Sequence, residues 1–234
     1  MRGERLLALL QLSDSAFPSG RYTLSHGLEA FAQGGLLAGP STGARLEALL
    51  ADSIRFGVAP SDGVALACAC RAVAADGAVD IERVVAADRR LTAVKLAREA
   101  RDASTRSGRA LLRTAPAVAG VTMSGYAQLI DSGQVPGNHA VILGLLEGLL
   151  DVPPLAAVAG ELFAFSAGWV AATVRLGLTD HLTAQRVLRY VRPVIASAAE
   201  QAAGGRVGNI SSCLPLPDLM SMRHELAELR LFAS

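Results

Sequence analysis

An all-α fold is predicted for this chain, a single-domain bundle of about ten helices over residues 1–234, and three observations predict it. The 234 residues are 51% hydrophobic yet only 4% aromatic, with alanine and leucine in excess, which favours helix over strand. Apolar residues recur at helical spacing along most of the chain. Glycine and proline cluster between those stretches, where they stop one helix and release the next.

The first helix is expected from about Glu4 to Leu12, ending before Phe17-Pro18-Ser19-Gly20, where Pro18 fixes φ and Gly20 permits a left-handed turn. A second runs from about Tyr22 to Gln33 and stops at Gly34-Gly35. Gly39-Pro40-Ser41-Thr42 caps a third, with Leu46, Leu49, Leu50, Ile54 and Phe56 mostly at helical spacing. Pro60-Ser61-Asp62 restarts the chain into a helix from Asp62 to Ala75. Asp80 then opens a charged stretch to Arg113 with room for one bend, closed by Pro116 and Gly120; its alternating charges read as a solvated face. Helices follow at about Thr122 to Asp131, Asn138 to Leu150, Leu155 to Leu176 and, opened by Thr179-Asp180, on to Ala203. Residues 208–217 read as irregular and Asp218 to Leu229 as a last short helix, with Leu231 and Phe232 apolar enough at the end to dock onto the core or a partner.

Charge and cysteines narrow the function. With 22 basic and 21 acidic residues the net charge is +1, no footprint for nucleic acid or an anionic membrane. Cys68, Cys70 and Cys213 make an odd number, which argues against a disulfide framework and for a reducing, cytoplasmic location. The apolar run near the N-terminus is only about seven residues and lacks a small-x-small cleavage site, so export is not expected. Leu162 to Val174 is strongly apolar, but Glu161 and Arg175 bracket it short of the roughly 20 residues a membrane span needs, and a buried core helix is expected. Gly144 and Gly148 stand at a spacing that lets helix backbones approach, within the fold or across a dimer seam.

The densest polar group is the corner after the first helix: Ser19, Arg21, Tyr22, Thr23, Ser25, His26 and Glu29. It could be a catalytic pocket, a metal site or a docking surface. His26, His139, His181 and His224 lie far apart in sequence without a metal-ligand pair, so no metal cage is evident. His26 and Glu29, three apart, would share a helical face as a hydrogen-bonded pair or as two ligands, the one weak candidate for metal. His224-Glu225 do not share a face and read as capping or docking residues, and Cys68 and Cys70 as buried small side chains. No third group orients a base for nucleophilic catalysis, and Gly34-Gly35 and Gly204-Gly205 lack the context of a phosphate loop. No catalytic residue and no bound cofactor are expected.

Both ends of the chain resemble the UreF family of urease accessory proteins. The opening pattern is met by Gln11, Leu12, Asp14, Phe17, Pro18, Gly20, Tyr22, Ser25, Gly27, Leu28 and Glu29, and the closing one by Met222, His224, Glu225, Arg230, Leu231, Phe232 and Ser234. Ser107-Gly108-Arg109 resembles a mid-chain element, and Arg175, Leu176 and Gln185 match part of another. Many members have His where this chain has Leu24; here the imidazole stands at His26. The resemblance implies an all-α, homodimeric, non-enzymatic scaffold between UreD (also called UreH) and the GTPase UreG, acting on apo-urease, with nickel and GTP supplied through the partners. It implies a C-terminal docking segment at about residues 208–234 and partner-binding roles for Pro18, Gly20, Tyr22, Ser25, Glu29, His224, Glu225, Arg230, Leu231 and Phe232, with Tyr22 and Arg230 coupling docking to GTPase recruitment. The alternative is a nickel chaperone using His26 and Glu29 at a dimer interface.

Overall fold

The computed structural model describes residues 3–37, 39, 42–226 and 231–232. Among them the only strand-like contact is a bridge between Val73 and Val79 that closes a turn, so the all-α expectation holds. The α-helices are α1 (Gly3–Ser13), α2 (Leu28–Gln33), α3 (Thr42–Asp52), α4 (Val64–Cys70), α5 (Ile81–Val94), α6 (Arg98–Ala119), α7 (Ser124–Asp131), α8 (His139–Leu149), α9 (Pro154–Arg175), α10 (His181–Ala203) and α11 (Pro215–His224). Short 3₁₀ turns stand at Arg21–Thr23 and Val207–Asn209, and Ser53–Gly63 is π-helical.

The core is built around α4, all of whose residues are buried. It packs between α8 and α9, with α10 covering the same layer. A β-carbon at Gly144 would fall 2.2 Å from the Leu66 carbonyl oxygen and one at Gly148 2.8 Å from that of Cys70, so the small residues of α8 serve its close crossing with α4. By length and composition α9 is apolar enough to cross a membrane, yet half of its most apolar stretch is buried inside the molecule. Trp169 and Leu162 fill the core from it, while Cys68 and Cys70 are buried as expected and Cys213 is exposed.

Three expectations are corrected. Pro60 does not restart the chain: α3, the π-helical segment and α4 run on as one rod. Proline has no N–H to give the ladder, and the wider π turn accommodates it while residues 211–214, a strap laid along the segment, take up its carbonyls. Ser211 N donates to Pro60 O at 3.0 Å and Cys213 N to Phe56 O at 2.8 Å. The second helix does not begin at Tyr22; left-handed backbone at His26 (φ 52) and Gly27 (φ 80) delays it to Leu28. The stretch from Asp80 to Arg113 is not simply solvated, because Asp88 and Glu99 are buried. Asp88 accepts hydrogen bonds from Tyr126 Oη (2.7 Å), Gly137 N (2.8 Å) and Asn138 N (2.9 Å), fixing the α7–α8 loop. The bend falls between α5 and α6, and α6 continues through Pro116 to a left-handed Gly120.

Helix starts follow the sequence more closely. Asp80 Oδ1 accepts from Arg83 N and Asp180 Oδ1 from Leu182 N and Thr183 N, satisfying donors that a helix N-terminus leaves free.

The close crossing makes a paired prediction about two helical glycines. Gly144→Ala should lower stability by about 1–3 kcal/mol or more through overpacking. Gly168→Ala in α9, where an added β-carbon meets nothing within 4 Å, should raise it by about 0.5–1 kcal/mol. Urea unfolding midpoints of both variants check this; a neutral Gly144→Ala would refute the crossing.

Candidate functional site

Pro18 and the left-handed Gly20 (φ 75) turn the chain into the Arg21–Thr23 turn, which sends alternate side chains to opposite sides. Arg21 goes inward: Nη1 and Nη2 donate to the two oxygens of Glu161 at 2.6 and 2.9 Å, and Nη1 lies 3.2 Å from His139 Nε2. Tyr22 goes outward and is 60% exposed. Ser19 and Ser25 are buried. The corner therefore has an inner and an outer surface.

The inner surface borders a cavity of about 180 Å³ lined by Arg21, His26, Asp62, Lys95, His139 and Glu161 among others. Its two basic residues, Arg21 and Lys95, are both paired. Lys95 Nζ donates to both Asp62 oxygens at 2.9 and 2.7 Å. Burial pushes the Asp62 carboxyl up, but the Lys95 charge and hydrogen bond overcome this and hold it below its ordinary value. His139 is lowered to about 3, by burial first and by the Arg21 charge second; His26 is lowered to about 3 for the same reasons. Both rings stand neutral at pH 7.

His26 and Glu29 do not share a helical face. His26 precedes α2, its ring edge-on to Phe165 with centroids 4.8 Å apart, whereas Glu29 lies in the first turn of α2. Among the described residues no group of three or more His, Cys, Asp or Glu side chains could hold a metal ion.

Glu29 is instead where the two ends of the chain meet. It is 2% exposed, and its oxygens accept from Leu231 N at 2.8 Å and Phe232 N at 3.1 Å. His224 Nε2 lies 3.0 Å from Glu29 Oε2, and His224 Nδ1 lies 2.8 Å from Glu99 Oε2, so the fully buried imidazole bridges α2 and α6. Glu225 Oε1 accepts from Glu99 N at 3.1 Å, capping the first turn of α6. His224 thus bridges α2 and α6 while Glu225 caps α6, and the two meet at Glu99.

On the outer surface Tyr22 has a partner among the described residues. Arg230 and residues 227–229 lie outside the described residues. Over the Tyr22 ring stands Arg175, its guanidinium carbon 4.2 Å from the centroid, with Nη1 donating to Tyr22 O at 2.6 Å. The same guanidinium lies over Phe232 at 4.7 Å. Phe232 packs against this chain's own core, while Leu231 is 82% exposed. Gly108 of the mid-chain element is explained by packing, since a β-carbon there would fall 2.2 Å from Gly137 O. Asp62, Lys95, His139 and Glu161 are not legible as site residues in the sequence because their partners lie far along the chain, and Arg175 stands there only as a match to a family element; that Lys95 is the sole lysine is a further signal.

Together these features define an all-α protein in which residues from near both ends of the chain build one surface. The family model described as UreF matches residues 41–192. The urease accessory protein UreF of Trichodesmium erythraeum is 34% identical over 97% of this chain and 96% of its own length. That of Paenarthrobacter aurescens is 30% identical over 97% of each, and UreF 2 of Brucella canis 29% identical over 97% of this chain and 91% of its own. The chain belongs to the UreF family of urease accessory proteins.

Two expectations follow from the site. Glu29→Gln removes the buried charge that accepts from the C-terminal end, where such bonds contribute about 1.5–3 kcal/mol each. Limited proteolysis should then cut the C-terminal residues faster while far-ultraviolet circular dichroism stays unchanged; equal protection would contradict the geometry. The second concerns pH. His139 titrates near 6.5 when unfolded but near 3 when folded, so between those values the unfolded chain binds more protons and stability falls as pH drops. The slope should reach at most about 1.4 kcal/mol per pH unit for this residue. His139→Gln should flatten unfolding free energy against pH between 6 and 4, and an unchanged slope would be the contrary result.

Proposed function

We propose that this chain is a non-catalytic adaptor of urease maturation: its C-terminal segment binds UreD (UreH), the assembled surface recruits the GTPase UreG, and the complex serves GTP-dependent nickel insertion into apo-urease in the cytoplasm. Nickel is the cargo and GTP the partner's nucleotide; neither is assigned a site on this chain. The observation that carries the reading is the outward stripe of α11 and the residues after it. Leu216, Leu219, Met222 and Leu226 are 48, 49, 40 and 86% exposed at three- and four-residue steps, and Leu231 continues the apolar surface. A terminal segment held to its own chain by buried polar bonds and apolar on its outer side is built to be covered.

Homodimerisation is part of the proposal and rests on another face. α1 packs on α9, with Leu9 against Gly160, and leaves Leu6, Leu7 and Leu10 exposed together with Leu155 and Phe163 of α9.

Leu219→Arg and Met222→Arg, each removing about 1–3 kcal/mol of apolar burial, should weaken UreD binding roughly 5- to 150-fold apiece. Deleting residues 223–234 should abolish co-purification with UreD while helicity survives. Undiminished co-purification of the truncated chain would overturn the assignment of this surface.

A further inference from the structure

We propose that the outer side of α10 is the docking surface for an acidic segment of apo-urease that carries one apolar anchor; this rests on the adaptor reading above and names where the adaptor meets its target. The helix is 23 residues long, and its buried side packs on α9, α3 and the π-helical segment. Its free side presents Leu182, Arg186, Arg189, Tyr190, Pro193 and Ser197, spaced so as to keep one helical face, and all six are exposed.

The face has two halves. The first is cationic: α10 carries Arg186, Arg189 and Arg192 and no carboxylate between His181 and Ala199. α3 runs alongside, Gly43 meeting Thr183, and carries Glu47 and Asp52 on that flank. Among the described residues neither forms an ion pair with any of the three arginines. Leu182 and Tyr190, 62 and 52% exposed, stand among these charges. Arginine beside tyrosine is a composition in which protein interfaces concentrate their binding energy.

The second half is a hollow. Pro193, Val194 and Ala198 face Phe56, Ala59 and Pro60 of the π-helical segment across a groove of about 820 Å³. Its polar groups are spread along both walls, from Arg55 to Asn209 and from Ser197 to Gln201, which suits a length of chain, whereas a small molecule needs polar groups that converge. Pro193 has no N–H to give, so the Arg189 carbonyl one turn back lacks its helical donor and remains an acceptor where the two halves join.

These features choose the occupant. A polypeptide supplies carboxylates for the arginines, an N–H or hydroxyl for the Arg189 carbonyl and an apolar side chain for the groove, all within a few residues. Glu200, exposed at the far end, repels a second acidic cluster there and so sets the direction in which the segment lies. A nucleic-acid strand would instead set its evenly spaced phosphates against Glu47, Asp52 and Glu200. Within the adaptor reading UreD is given the α11 stripe and UreG the surface assembled with it. Apo-urease has no contact yet, and the outer side of α10 shares no residue with those surfaces or with the face of α1 and α9 given to a second copy.

The test uses the full-length chain co-purified with UreD, with apo-urease affinity measured at several salt concentrations for wild type, Arg186→Glu/Arg189→Glu and Ser197→Trp. The arginine pair variant should keep UreD and UreG, lose roughly tenfold or more in apo-urease affinity and flatten its salt dependence. Ser197→Trp, which fills the groove from an exposed position, should lose roughly fivefold or more and leave the salt dependence as it is. Apo-urease affinity within about twofold of wild type in the arginine pair variant overturns the surface. Wild-type affinity in Ser197→Trp overturns the groove as the seat of the anchor. Loss of UreD or UreG in place of apo-urease overturns apo-urease as the occupant. A labelled poly(U) strand bound at physiological ionic strength by wild type but not by the arginine pair variant overturns a protein occupant. A wild-type complex that ignores apo-urease overturns the adaptor's contact with its target together with this surface. If it binds apo-urease and only the variants fail to differ, the adaptor reading stands and the α10 surface alone is lost.

Discussion

The carboxylate of Glu29 is the constraint on which the arrangement of both chain ends depends. A charge this deeply buried is tolerated only with its hydrogen-bond partners supplied. Here those partners are the imidazole of His224 and two backbone N–H groups from the C-terminal end. Because α2 provides the acceptor and the last residues provide donors, neither the corner nor the C-terminal end has its final shape alone. The bridge from His224 to Glu99 extends the same dependence to α6.

Beneath this clasp the molecule separates its polar interior from its apolar one. The cavity side holds Arg21 with Glu161 and Lys95 with Asp62, each charge matched, and two histidines kept neutral by burial and by nearby cations. α4, α8, α9 and α10 form the tightly packed layer, from which His139 and Glu161 reach the cavity. The π-helical segment packs against α9 and α10. It presents Gly57 at a point where Leu214 of the strap fits with no room for a β-carbon, and the strap's N–H groups use its carbonyls. Residues 211–214 thus lie along this helical wall before the chain reaches the clasp.

The elements legible in the sequence were those decided by local chemistry. Asp80 and Asp180 announce helix starts because a carboxylate satisfies free N–H groups within three residues of itself. Gly144 and Gly148 announce a close crossing because only small residues permit one. The motifs at both ends identified the residues that meet at Glu29, though not how they meet. Pro60 misled because its effect on a helix depends on whether a wider turn and outside donors are available, and the donors come from residues 211–213. The stretch from Asp80 to Arg113 misled because alternating charge looks solvated until Tyr126, Asn138 and His224 are brought against it.

By itself the sequence determined the all-α class, most helix boundaries, the buried cysteines and the family, since propensity, capping and motif spacing act over a few residues. Only the tertiary structure decided that His26 and Glu29 face different partners, that Arg21 turns inward, and that Arg175 rather than a residue near Tyr22 in sequence covers its ring. The physical reason is separation along the chain. Glu29 reaches Phe232 and Tyr22 reaches Arg175 across spans that no periodicity encodes, and only the packing of α9 and α11 brings them together.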